Sequence, residues 1–237
     1  MKFYRPERWT DEAINEEHEF TQTLLDEELS VVAPMALAET GSGSRTLVQH
    51  NGFRFAVFAR QGGHPPNLEN LDDLEVLSRT IARMHAVGAR QSFSQRPQIN
   101  AQRFGHDSRD FLLENNFLPP EMESAYASVS EHLLQRITPL LQDAPNIRIH
   151  GDCHMGNILW RDQVPHFVDF DDCMMGPPIQ DLWMLLSGER YDQTGQLATI
   201  LDAYNDFYPF DVSTLNFIEP LRTCLLYTSD AADERSW

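Results

Sequence analysis

Lysine is almost missing: Lys2 is the sole lysine among 237 residues, although arginine is used freely. Cations as a class are scarce, 18 against 36 acidic residues, for a formal net charge of -18. No basic run is present that could neutralise a phosphate backbone, so nucleic acid is not expected as a partner. The acidic excess is scattered and reads as a solvated surface, with a cationic acceptor left open. Cysteine is rare too. Cys153, Cys173 and Cys224 form no C-x-x-C pair and are too few for a disulfide framework, which points to a reducing cytoplasm. No apolar run approaches the roughly 20 residues needed to span a bilayer, and the N-terminus has no basic stretch followed by an apolar one, so neither secretion nor a membrane is expected. Internal repeats are absent. Finally, no glycine-rich phosphate loop occurs, since Gly41-Ser42-Gly43 and Gly62-Gly63 fit neither G-x-G-x-x-G nor G-x-x-x-x-G-K-[ST] and read as turn and hinge glycines.

What is present is a chain with 41% apolar residues, enough for a real core. Residues 2–4 read as a strand and 9–29 as a helix capped by Thr10 or Asp11, with Ile14, Glu17, Phe20 and Leu24 along one face; Glu17 interrupts an otherwise apolar stripe. Strands are expected over 31–37, 46–50 and 53–58, the last two joined by Asn51-Gly52, a strong hairpin signal. Gly62-Gly63 and Pro65-Pro66 mark a boundary, after which amphipathic helices are expected over 71–84 and 122–141. Short strands follow at 158–160 and 166–168, then helices over 179–186 and 197–207. Beyond Arg222 the text loses all periodicity. Residues 224–237 read as a non-native tail, and both ends of the chain are expected to be truncated.

The chemistry is concentrated in His150-Gly151-Asp152-Cys153-His154-Met155-Gly156-Asn157 and in Val168-Asp169-Phe170-Asp171. Phosphoryl transfer from ATP needs a carboxylate to orient a hydroxyl and take its proton, oxygen ligands for Mg2+, and a fixed geometry between them. Asp152 and Asn157 stand five positions apart, the spacing of the base and amide ligand in the protein-kinase loop H-R-D-x-x-x-x-N. Asp169, directly after an apolar strand, supplies a second carboxylate able to bridge phosphate oxygens through the metal. Asp171 and Asp172 remain as outer-sphere alternatives. A kinase also needs a compact ammonium on a strand, positioned by a helix glutamate, for the α- and β-phosphates. Lys2 with Glu17 fits that pair, and Glu16 is the rival for Glu17. A zinc site from His150, Cys153 and His154 is disfavoured because no distant pair completes it. The histidines read as structural, and Cys173 as a packed thiol.

His150-Gly151-Asp152-x-His154-x-x-Asn157 with Val168-Asp169-Phe170 resembles the signature of the aminoglycoside phosphotransferase and choline kinase-like families. Within that group, residues 150–160 and 177–186 and the opening Lys2-Phe3-Tyr4-Arg5-Pro6-Glu7-Arg8-Trp9 resemble the bacterial stress response kinase A family. The resemblance runs from residue 1 to about 223 and leaves out that family's opening strands with their phosphate loop, and its closing helices. It implies a serine/threonine protein kinase linked to envelope stress, with Asp152 as base, Asn157 and Asp169 as Mg2+ ligands, and Asp181 as a buried carboxylate holding the catalytic loop.

The expected architecture is an α+β, protein-kinase-like fold with two lobes, an incomplete strand-rich N-lobe at 1–60 and a mostly helical C-lobe at 61–223. ATP would lie at their junction, its adenine edge against backbone around 57–60. The acceptor is expected to be a protein serine or threonine, with a small aminoglycoside- or choline-like molecule as the alternative enzyme reading and a silent, pseudokinase-like binding module as the non-enzyme one. A monomer is expected, and the chain as it stands is expected to turn over poorly for want of the phosphate loop.

Overall fold

The computed structural model of the protein describes residues 1–40, 43–115, 117–142 and 144–223. Gly41, Ser42, Cys224 and the expected tail 224–237 lie outside the described residues. The chain opens with β1 (Lys2–Tyr4) and α1 (Asp11–Asp26), followed by β2 (Ala38–Thr40), β3 (Gly43–Arg45), β4 (Val48–His50) and β5 (Phe53–Ala56). Helices α2 (Leu71–Gly88), α3 (Asp107–Glu114) and α4 (Pro120–Gln142) come next. Then come β6 (Ile147–Ile149), β7 (Ile158–Arg161), β8 (Val164–Phe167) and β9 (Met174–Gly176), with one 3-10 turn between β6 and β7 and another between β8 and β9, before α5 (Ile179–Trp183), α6 (Arg190–Tyr204) and a 3-10 stretch at Val212–Phe217. The described residues gather into two compact units, one from Met1–Pro97 and Asn146–Phe210, the other from 98–145 and 211–223.

In the first unit β1, β5 and β4 form an antiparallel sheet in which Lys2 faces Ala56 and Tyr4 faces Arg54. The β4–β5 connection is Asn51-Gly52, with φ of 49° and 81°. Two successive positive φ values are what a type I′ turn demands, and they match the twist of the flanking strands. Thr10, not Asp11, caps α1 by accepting the Ala13 N–H at 3.2 Å. Ile14, Glu17, Phe20 and Leu24 are all buried on one face of that helix. Tyr4, Ile14, Leu47 and Ala56 pack together there, joined by Trp9 and Phe58.

Elements not expected from the sequence include β2, β3 and α3, with Gly43 opening a strand, and three expected elements are missing or displaced. Residues 31–37 form no strand, and Val31 and Pro34 make only isolated bridges, to Phe167 and Phe58. Pro34 lacks the N–H that a strand interior needs. The helix expected over 179–186 stops at Trp183, while the one expected to begin near 197 begins at Arg190, started by a reciprocal capping box between Glu189 and Asp192.

The hairpin β7–β8 pairs Ile158 with Phe167 and turns through Asp162 and Gln163, both at positive φ. Its other edge is extended by one rung. His64 and Trp160 exchange backbone hydrogen bonds of 3.1 and 2.7 Å, and Gly63 lies so close that a Cβ there would sit 2.9 Å from the Leu159 Cβ. In the second unit a π-helical turn at Gln102–His106 leads into α3, and Leu134, Ile137 and Leu141 form the buried side of α4. Among the described residues no helix is long and apolar enough to cross a membrane.

Candidate active site

Strand β6 delivers the chain into a turn at Gly151, where φ is 87° and any Cβ would strike the Asp172 carbonyl oxygen. Such a position suits glycine alone. Asp181, fully buried on α5, accepts the N–H groups of His150 and Gly151 at 2.8 Å each and the Nε2 of His85 at 3.0 Å. Burial opposes ionisation of Asp181, but the His85 bond and charge outweigh it and hold the carboxyl below its ordinary value. Behind it, His85 Nδ1 pairs with the Tyr204 hydroxyl at 2.8 Å, and Gln180 donates to the Gly151 carbonyl at 3.1 Å. The loop backbone therefore hangs from a buried carboxylate.

The two loop histidines are spent on geometry. His150 donates from Nε2 to the Val168 carbonyl at 2.9 Å, and its Nδ1 accepts the Asp152 N–H at 3.3 Å, which defines one tautomer. His154 accepts the Gly156 N–H on Nδ1, leaving Nε2 3.5 Å from Asp152 Oδ2. Asn157 donates from Nδ2 to both the carbonyl and Oδ2 of Asp152, at 2.9 Å each.

Register brings the third residue in. Because Ile158 faces Phe167, Asn157 lies opposite Val168, whose N–H it accepts at 3.0 Å, and Asp169 follows directly. Asp169 adopts a left-handed backbone, φ 59° and ψ 67°, which turns the chain sharply after the strand and is tolerated by Asp better than by branched residues. Its carboxylate stays 55% exposed, whereas that of Asp171 keeps 14%. Lys2 Nζ reaches Asp169 at 3.0 Å, Asp171 at 3.1 Å and Glu17 at 3.4 Å. Burial works against the Asp169 anion, yet Lys2 prevails and keeps its carboxyl below the usual range. Glu17 is pushed the other way by burial, against the pull of Lys2 and Arg96.

The rivals separate cleanly. Glu16 turns away from Lys2 and accepts the N–H groups of Ser94, Gln95 and Arg96 at 2.7–3.0 Å, leaving Glu17 as the glutamate that meets Lys2. Asp171 and Asp172 are each paired with Arg8, at 3.1 and 2.7 Å. A cavity of about 440 Å³ opens beside Lys2 and Asp169, lined by Val32, Phe58, Ala59, Leu159 and Phe170 among others. Of the 57–60 stretch, Phe58 and Ala59 line it, and the Val57 carbonyl accepts the Met35 N–H at 2.7 Å.

Among the described residues no group of three His, Cys, Asp or Glu could hold an ion. Cys153 and Cys173 are buried free thiols, both pushed up by burial and so unreactive. A hard cation fits better than zinc: Asn157 spends its Nδ2 on Asp152, so Oδ1 and the Asp169 carboxylate are two oxygen donors of the kind Mg2+ takes, completed by phosphate and water. Arg8, His85, Arg96 and Tyr204 also belong to this constellation. None carries a local sequence signal, because each acts across 75 residues or more to its partner.

The model of the phosphotransferase enzyme family matches residues 1–215. Stress response kinase A of Escherichia coli O157:H7 is 42% identical over 238 aligned positions, which take in all of this chain and 71% of that protein. The serine/threonine protein kinase RdoA of Salmonella typhimurium is 40% identical over 227 positions, 95% of this chain and 67% of that one. Among solved structures, amicoumacin kinase hAmiN in complex with AMP-PNP, Ca2+ and Ami superposes with a TM-score of 0.79 at 17% identity, over 98% of this chain and 74% of that one. A microcompartment-associated aminopropanol kinase gives 0.70 at 17%, over 97% and 75%. These neighbours share the expected kinase-like α+β fold.

Proposed function

The chain belongs to the phosphotransferase enzyme family, and from that premise we propose that it transfers the γ-phosphoryl group of ATP, with Mg2+, to a serine or threonine hydroxyl of a protein in the cytoplasm. The observation that carries this reading is the joint placement of Asp152, Asn157 and Asp169 by one loop and one hairpin register. Asp152 orients the acceptor hydroxyl and takes its proton. Asn157 and Asp169 would hold Mg2+, which when bound neutralises charge on the β- and γ-phosphate oxygens. Lys2, steadied by Glu17, meets the α- and β-phosphates, and the adenine lies against Phe58 and Ala59. On this reading 1–60 is part of an N-lobe and 61–223 a C-lobe, in a monomer. The name of one relative, a serine/threonine protein kinase, supports a protein acceptor.

The test is transfer from γ-labelled ATP to serine- and threonine-containing protein acceptors, with and without Mg2+, by the wild type and Asp152→Asn. Mg2+-dependent labelling lost in the variant is expected. Labelling of aminoglycosides or amino alcohols in place of protein would move the acceptor to a small molecule. Mg-ATP binding without any transfer would make the chain a binding module.

A further inference from the structure

Arg96 lies in the loop after α2, remote in sequence from every residue given a chemical role above. Its side chain is wholly buried. One guanidinium nitrogen, Nη1, donates to the Asp171 carbonyl at 2.7 Å; the other, Nη2, donates to Glu17 Oε2 at 2.8 Å and lies 3.4 Å from the Phe170 carbonyl. The Trp9 ring covers the group, with Cζ 4.5 Å from its centroid. Glu16, one position before Glu17, fixes the backbone of the same loop through three N–H groups. Two neighbouring glutamates of α1 therefore grip one loop. One holds its main chain and the other its guanidinium.

We propose that Arg96 is a positioning residue, a latch that fastens α1 to the segment carrying Asp169 so that Glu17 keeps Lys2 in the phosphate-binding position. The inference rests on the phosphotransferase reading for its functional meaning. Geometry supports it as follows. Glu17 has two carboxylate oxygens, and each is taken by a different cation, Oε1 by Lys2 and Oε2 by Arg96. Without Arg96 the buried carboxylate loses one of its two cations and α1 loses its tie through this side chain to the 170–171 backbone. Only a planar fork can serve two carbonyls and a carboxylate at once from a fixed position; an ammonium is a point donor on a flexible stem. The latch also sets a contrast with a helix that swings to make or break its lysine contact. Here the contact is held by a second cation inside the core.

Arg96→Lys preserves the charge and tests the fork; Arg96→Ala with added guanidinium tests the group itself. Mg-ATP affinity by calorimetry and amide hydrogen exchange in α1 and in residues 169–172 are the readouts. In Arg96→Lys the affinity is expected to fall about tenfold and exchange to accelerate in both segments together, while Arg96→Lys added to Glu17→Gln weakens binding no further. Guanidinium should restore part of the lost affinity to Arg96→Ala. A cooperative thermal melt of Arg96→Lys guards against a simple folding defect. Additive losses in the double variant, or exchange that rises in one segment alone, would reduce Arg96 to a packing residue and overturn the latch. Failure of the wild type to bind Mg-ATP would instead overturn the phosphotransferase reading, and the exchange pattern would still decide whether the latch exists.

Discussion

The side-chain amide of Asn157 donates to both the main-chain carbonyl and the Oδ2 of Asp152, at 2.9 Å each. One amide group thus ties the side chain of Asp152 to that of Asn157. On the proposed reading, the residue that would ligate the metal also fixes the rotamer of the residue that would take the proton.

Replacing Asp152 by Asn keeps the shape and much of this hydrogen bonding but removes the basic oxygen. The expected result is a fall in kcat of about 10²–10⁴-fold with little change in Mg-ATP affinity. Steady-state turnover and calorimetry on the same preparation check it, and near-native turnover would remove Asp152 from the role of base.

Asp169→Ala deletes the more exposed of the two carboxylates that Lys2 contacts most closely, while leaving Asp171 paired with Lys2 and Arg8. Mg2+-dependent nucleotide binding is expected to disappear. Titration with Mg-ATP measures it; unchanged affinity would shift the metal to Asp171 or Asp172.

Acid should reveal His18, which is buried between the Tyr4 hydroxyl and Thr46 Oγ1, each at 2.7 Å. Burial, aided by Lys2 and Arg96, pushes its pKa down to about 4. The unfolded imidazole, with an ordinary value of about 6.5, binds more protons than the folded one across that interval, so stability is fully present above about pH 6.5 and declines as pH falls toward 4, by on the order of 3 kcal/mol for this group. Urea denaturation at pH 7 and pH 4.5 measures the slope. His18→Gln should flatten it, and an unchanged slope would assign the acid loss elsewhere.

Asp181→Ala should destabilise the protein by about 3–5 kcal/mol, because it strands two buried N–H groups and His85. Since the folded carboxyl lies below its ordinary value, its contribution is present above an unfolded pKa of about 3.9 and is lost as pH falls below that. The stability gap between wild type and variant should therefore narrow at pH 3. Denaturant midpoints at pH 7 and pH 3 provide the comparison.

The convergence of Asp152, Asn157 and Asp169 was legible because the three are close in sequence: Asp152 and Asn157 share one loop, and Asp169 follows an apolar strand. Glu17 could be read from a charged residue interrupting a buried stripe, and Asn51-Gly52 from its demand for positive φ. What escaped depended on distance. Arg96 meets Glu17 across 79 positions and His85 meets Asp181 across 96, and an isolated Arg or His has no periodicity to betray a buried partner. The strand expected over 31–37 fell to one proline, whose missing N–H outweighed the apolar run around it. A polar turn between the strands at 158–160 and 166–168 could be read, but not its positive φ at Asp162 and Gln163, since neither residue is glycine.

The rung between His64 and Trp160 acts as an anchor. On the proposed reading, the residues beneath the adenine lie just before it in the chain, and the β7–β8 hairpin beyond it is preceded by Asn157 and followed, two residues on, by Asp169. The cavity wall at Phe58 and the β7–β8 hairpin are each pinned by a main-chain bridge, Pro34 to Phe58 and His64 to Trp160, with the irregular stretch 59–63 between them. Substitutions around the cavity change its lining, whereas a change of length in 59–63 acts on the link between those two anchors.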